Sequence, residues 1–245
     1  MATYTRSGTL QRFNTSYPIR STSSFAPDTT MYCKLNDTVN FQVSVAQQAP
    51  FNQIGIAANA NDSNPDPGNL GGSSTFSDGT TFTYTWTASS DFFTRWFFFN
   101  TGGSAAFEDS ISCVIRRVSV ASLSMGSNSI APGGSTTITA NTIQGLEPPS
   151  GNFGHRLYTY VTDSSGNLIS TSGTNGMTFS TVFGSNNYLG VFTTTQTTNT
   201  LTVGSGVSAG TYTLHVGHPG VGGSGNTFYG SDHRITSTTF SVATV

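Results

Sequence analysis

Residues 80–100, TTFTYTWTASSDFFTRWFFFN, constrain the fold of this chain more than any other stretch. In the first half Phe82, Tyr84 and Trp86 alternate with Thr81, Thr83, Thr85 and Thr87. A period of two is that of a half-buried β-strand, with one face in a core and the other wet. After Ala88-Ser89-Ser90-Asp91 the pattern changes, because Trp96, Phe97, Phe98 and Phe99 are consecutive. A strand there carries aromatics on both faces, and each face needs a cover from this protein, a partner or a ligand.

The rest of the chain extends the β pattern. Charged residues make up only 8% of it, so solubility rests on hydroxyls and amides, and abundant Thr and aromatics with many Gly and Asn turn residues predict an all-β protein. Lys34 stands beside eight arginines and the net charge is −2, a balance that excludes nucleic acid as the main partner because no basic patch can neutralise a run of phosphates. No run approaches the ~20 apolar residues of a membrane-spanning helix, so membrane insertion is not expected. MATYTRSGTL lacks an apolar signal core, which predicts synthesis in the cytosol.

Residues 1–29 carry Arg6, Arg12 and Arg20 among Tyr4, Phe13, Tyr17 and Phe25 without sustained alternation, and read as an extended arm or irregular edge. Strands are expected from Thr30. Met31–Leu35 precedes a turn at Asn36-Asp37, and in Val39–Ala46 the residues Val39, Phe41, Val43 and Val45 alternate with polar ones. Gln53–Ala58 leads into a loop over Asn59–Gly72, and Ile111–Val120 closes the unit. This series, with its Gly-Thr-Thr-Phe-Thr-Tyr-Thr and Phe-Thr-Arg-Trp-Phe-Phe-Phe strands and the closing Ile-Ser-Cys-Val-Ile-Arg-Arg-Val-Ser-Val, resembles the jelly-roll sandwich of carbohydrate-binding modules over residues 30–121. A second domain starts afresh at 122 and runs to 245. Its Ser129-Ile130-Ala131-Pro132-Gly133-Gly134-Ser135 turn and the run Ser208-Ala209-Gly210-Thr211-Tyr212-Thr213-Leu214-His215-Val216 are similar to bacterial immunoglobulin-like and fibronectin-III-like domains, in which such a Tyr makes the tyrosine corner. Two tandem β-sandwiches are expected, a jelly roll followed by an immunoglobulin-like one.

The residues that carry chemistry are sparse. No nucleophile elbow or Cys-His pair at a known spacing occurs, and no catalytic residue is assigned. His155, His218 and His233 are a trio that zinc would use, though unpaired surface histidines are the plainer reading. Asp62, Asn64 and Asp66 have the alternate oxygen spacing of a calcium loop, but Pro65 and Pro67 interrupt the turn and the bidentate Glu is missing, so an Asx turn is favoured and no metal is expected. Glu108 and Asp109 are adjacent and so point to opposite faces of a strand, which disqualifies them as a paired acid and nucleophile. Cys33 and Cys113 read as two buried thiols rather than a disulfide. Phe82, Tyr84 and Trp86 are best used as core. The surplus apolar surface then falls on Trp96, Phe97, Phe98 and Phe99, with Trp86, Arg95 and Tyr229 as further interface or ligand-stacking candidates.

Tandem sandwiches, few charges, no catalytic set and an arm are together similar to the accessory proteins of tailed-phage virions, in which jelly-roll and immunoglobulin-like domains decorate or cement heads and build appendages. The resemblance implies a head decoration or cement protein, made in the host cytoplasm and carried in the virion. It implies a structural role, neither enzyme nor cofactor-dependent, with a major capsid protein or other virion protein as partner, sibling subunits in a symmetric trimer, and the immunoglobulin-like domain projecting. The alternative is a carbohydrate-binding or receptor-binding module of a tail fibre or appendage, with a cell-surface glycan stacked on Trp86, Trp96 or Tyr229.

Overall fold

The computed structural model describes residues 1, 3–11, 23–24, 30–46, 53–59, 68–69, 81–88, 93–101, 107–146, 156–169, 174–183, 186–218 and 234–243. For 9–11, 23–24, 30–31, 45–46, 53–59, 68–69, 82, 93–101, 107–113, 183 and 186–188 it gives the backbone path alone. Every helix or strand element among them is a strand, so the chain is all-β. It divides into two units, Met1–Arg117 and Val118–Val245.

The first unit contains β1 (Thr3–Gln11), β2 (Ser23–Ser24), β3 (Thr30–Cys33), β4 (Thr38–Ala46), β5 (Gln53–Asn59), β6 (Gly68–Asn69), β7 (Thr81–Thr87), β8 (Phe93–Thr101) and β9 (Phe107–Arg117). One sheet runs β1-β4-β7; the other runs β2-β9-β8-β5-β6, with β3 also paired to β9. The alternation in β4 does what its period requires: Val39, Phe41 and Val43 are fully buried, while Asn40, Gln42 and Ser44 retain solvent contact. The turn into β4 falls at Asn36, whose φ of 68° is one that Asn tolerates. Lys34 N donates to Asp37 Oδ2 across that turn at 3.0 Å.

One expectation is altered here. Within the supposed arm, Thr3–Gln11 is a sheet strand lying parallel to β4 with Arg6 opposite Phe41, and Arg6 is buried at 3% exposure. The first unit ends at Arg117, where β9 ends. β8 and β9 form a hairpin inside one sheet, β4 and β7 pair in the other, and the chain changes sheets between β4 and β5.

The second unit repeats this path. It contains β10 (Ser119–Met125), β11 (Ser129–Ile130), β12 (Ser135–Gln144), β13 (Leu157–Thr162), β14 (Met177–Phe179), β15 (Val182–Phe183), β16 (Asn186–Phe192), β17 (Thr198–Val203), β18 (Gly210–Gly217) and β19 (Arg234–Val242). The sheets are β10-β12-β17-β14 and β11-β19-β18-β13-β16-β15, an immunoglobulin-like β-sandwich. Ile138 and Ala140 of β12 and Leu201 and Val203 of β17 bury one inner face; Leu157, Leu214, Val216, Phe240 and Val242 bury the other. The Pro-Gly turn before β12 is closed by Gly134 N donating to the Ala131 carbonyl at 2.8 Å, with Gly133 at φ 79°. The tyrosine corner is present, Tyr212 Oη donating to the Ser208 carbonyl at 2.8 Å. Asn199 is 3% exposed and joins the two sheets: its Nδ2 donates to the carbonyls of Thr181 and Val191, and its Oδ1 accepts from Ser180 Oγ.

Candidate functional site

The aromatic run occupies β8, an interior strand hydrogen-bonded to β5 on one side and β9 on the other. Its register sorts the positions into two rows. Trp96 lies between Ala58 and Cys113, and Phe98 between Ile56 and Ile111. Phe97 lies between Ala57 and Ser112, Phe99 between Gly55 and Ser110, and Arg95 between Asn59 and Val114. Ile115, two residues beyond Cys113 and so in the register row of Trp96 and Phe98, is 1% exposed. The opposite row holds Arg95, Phe97 and Phe99 among small and polar positions. Val114 and Arg116, on that same face of β9, are half-buried. Sequence reasoning expected aromatics on both faces of this strand, and the register sets Trp96 and Phe98 in one row and Phe97 and Phe99 in the other.

Trp86 and Tyr84 are half-buried rather than core, because β7 is an edge strand of its sheet; Tyr84 stacks on Phe41 with ring centroids 6.4 Å apart. Cys33 is a buried thiol opposite Arg117, and Cys113 lies four register positions from Arg117 along β9. That is about 13 Å at 3.3 Å per residue, too far for a disulfide. Tyr229, Asp62, Asn64, Asp66, His155 and His233 lie outside the described residues.

The second unit holds a polar cluster that sequence reasoning missed. Thr159 faces the opposing sheet, since a Cβ on its neighbour Gly190 would lie 2.5 Å from Thr159 Cγ2 and 2.7 Å from Phe179 Cγ of β14. Tyr158, Tyr160 and Thr162 therefore look the other way, outward from the sandwich. They are nevertheless buried, as are Leu189, Val191, His215 and His218, which corrects the reading of His218 as a surface histidine. Within the cluster Arg234 Nε donates to Tyr160 Oη at 2.8 Å, and Thr162 Oγ1 lies 2.9 Å from His215 Nε2. Burial, and secondarily the Arg234 charge, pushes the His215 pKa down to about 4, so the ring is neutral at neutral pH. Burial raises the Tyr158 pKa to about 12 against the opposing charge of Arg156, and raises Tyr160 against its hydrogen bond from Arg234. These groups bind β13, β18 and β19 to one another. The missed signal is in Leu-Tyr-Thr-Tyr-Val-Thr, a strand with no charged or amide residue on either face, and hence one that can be buried on both.

No family model matches the chain, and no curated protein matches it. Among solved structures it is similar to the crystal structure of murine CEACAM1b, at 11% identity and a TM-score of 0.33, over 78% of this chain and 91% of that one.

Proposed function

We propose that this chain is a structural virion protein of a tailed phage, a decoration or cement protein that binds the head through its first unit and carries the second, immunoglobulin-like unit as a projection. The observation that supports this reading is one register row of β8: Phe97 and Phe99 at adjacent same-face positions, flanked by Gly55, Ala57, Ser110 and Ser112, with Arg95 at the end of the row. Aromatics set among small residues, with one Arg at the margin, have the composition of an interface centre that packs against a protein surface. The proposed partner is a major capsid protein or another virion protein, with sibling copies arranged as a symmetric trimer. The role is non-catalytic and needs no cofactor.

The test is co-sedimentation of the purified full chain with phage heads stripped of accessory proteins, comparing wild type with Phe97→Ser/Phe99→Ser. The reading expects saturable binding that falls by at least tenfold in the variant, the loss of two anchors worth roughly 1–2 kcal/mol each, with the thermal unfolding midpoint retained. Absence of binding to any shell, or binding unchanged in a folded variant, overturns it. The half-buried Trp86 favours a glycan-binding module as the second reading. A reproducible glycan-array ligand lost in Trp86→Ala would select that reading.

A further inference from the structure

The outer edge of β7 is a separate feature of the first unit, on the sheet that does not contain β8. Ala88 N donates to the Asp37 carbonyl at 2.8 Å, so Ala88 turns its backbone toward the β4 side. The alternation of an antiparallel ladder then points the N–H and C=O of Thr81, Thr83, Thr85 and Thr87 away from β4. Among the described residues no strand pairs with that side of β7, and all these threonines are exposed. Open edges are ordinarily blunted by a charge, a proline or a bulge. Thr81–Thr87 has none of them, and its register with β4 runs from Thr87 opposite Thr38 to Thr81 opposite Ser44 without a shift.

We propose that this edge pairs antiparallel with the same edge of a second copy of the chain, about a twofold axis at Tyr84. The sequence TFTYTWT is self-complementary about that centre. Thr83 meets Thr85 of the second copy and Thr81 meets Thr87, and these are the outward-facing residues that exchange backbone hydrogen bonds. Tyr84 meets Tyr84, and Phe82 meets Trp86, in the intervening non-hydrogen-bonded pairs, where side chains approach most closely and aromatic pairs are favourable. An edge carrying charge would be repelled by its own copy; this one carries none. The contact is isologous and closes on itself as a pair. It joins copies two by two, a symmetry different from that of the proposed trimer, and it stands or falls independently of head binding.

The test uses the full chain in sedimentation velocity and in mild oxidative cross-linking. Thr83→Cys/Thr85→Cys places each new thiol opposite its reciprocal partner, so a covalent species of twice the chain mass is expected. Thr83→Cys alone, and wild type with Cys33 and Cys113, should give none. Thr83→Lys/Thr85→Lys sets like charges directly opposite at exposed positions, and is expected to weaken self-association by at least about tenfold with the fold intact. A wild-type protein that sediments as a monomer throughout, or as a trimer alone, overturns the pairing. So does a folded double-cysteine variant that fails to cross-link, a folded double-lysine variant with unchanged self-association, or a polydisperse aggregate in place of a discrete pair.

Discussion

Tyr160 and His215 lie ring against ring on neighbouring strands, centroids 5.0 Å apart and planes tilted by 31°, on the face of their sheet that points away from the sandwich interior. A polar pair on an outer face would ordinarily be wet. Here Tyr160 is 0% and His215 5% exposed, and His215 Nδ1 has no hydrogen-bond partner among the described residues. The energetics of the second unit are therefore tied to pH and to packing on both sides of β13.

The acid response follows from His215. Its folded pKa of about 4 lies below the 6.5 of an unperturbed ring, so between those values the unfolded chain binds a proton that the folded chain refuses. Stability should rise with pH through that window and be lost on acidification, by on the order of 3 kcal/mol from this group at most. Urea unfolding at a series of pH values checks this. His215→Gln, which keeps a polar group near Thr162 without a titrating ring, should show a shallower acid limb than wild type.

Asn199 is the second point of sensitivity. Asn199→Ala removes the donor to the Thr181 and Val191 carbonyls and the acceptor for Ser180, leaving buried groups unsatisfied, and should cost about 2–4 kcal/mol. Asn199→Asp keeps the acceptor but turns a carboxylate toward two carbonyls. It should be at least as destabilising at neutral pH and should partly recover as the solution is acidified and the carboxyl regains a proton. Thermal unfolding of both variants at neutral and acid pH distinguishes these outcomes.

Gly190 tests the packing between sheets. Gly190→Ala drives a methyl to 2.5 Å from Thr159 Cγ2 and 2.7 Å from Phe179, an overpacking that should cost about 1–3 kcal/mol. Adding Thr159→Ser removes Cγ2 while keeping the hydroxyl that donates to the His215 carbonyl, and should restore part of the loss. A double-mutant cycle by chemical denaturation reads the coupling.

Much of the fold was legible because alternation is a local signal. The Val39–Val43 face, the Asn36 turn, the Pro132-Gly133 turn and the Tyr212 corner all lie where local chemistry puts them. The strand order was not legible, because hydrophobic period says which face is buried and nothing about which distant strand lies beside it. Thr3–Gln11 was missed for a related reason. Its Ser7-Gly8 dilutes the alternation, and its pairing with β4 is parallel and distant in sequence. At the candidate site, the run of aromatics was visible, but the neighbours of each row depended on the pairing that sets Ile56 and Ile111 beside Phe98 and Ala57 and Ser112 beside Phe97. The Tyr158–Tyr160–His215 cluster escaped because hydroxyl-bearing aromatics on alternate positions read as a wet face, and only tertiary contact shows them covered.

In each unit an early strand pairs in parallel with a late one, β3 with β9 and β11 with β19. A ribosome delivers those partners far apart in time, so neither sheet can be completed until the final strand of its unit has emerged. The first unit can close while the second is still being translated. The second must leave β11 and one edge of β18 unpaired until Arg234–Val242 arrives, and this stretch of synthesis is when those edges are most exposed to wrong pairings and to the chaperones that prevent them.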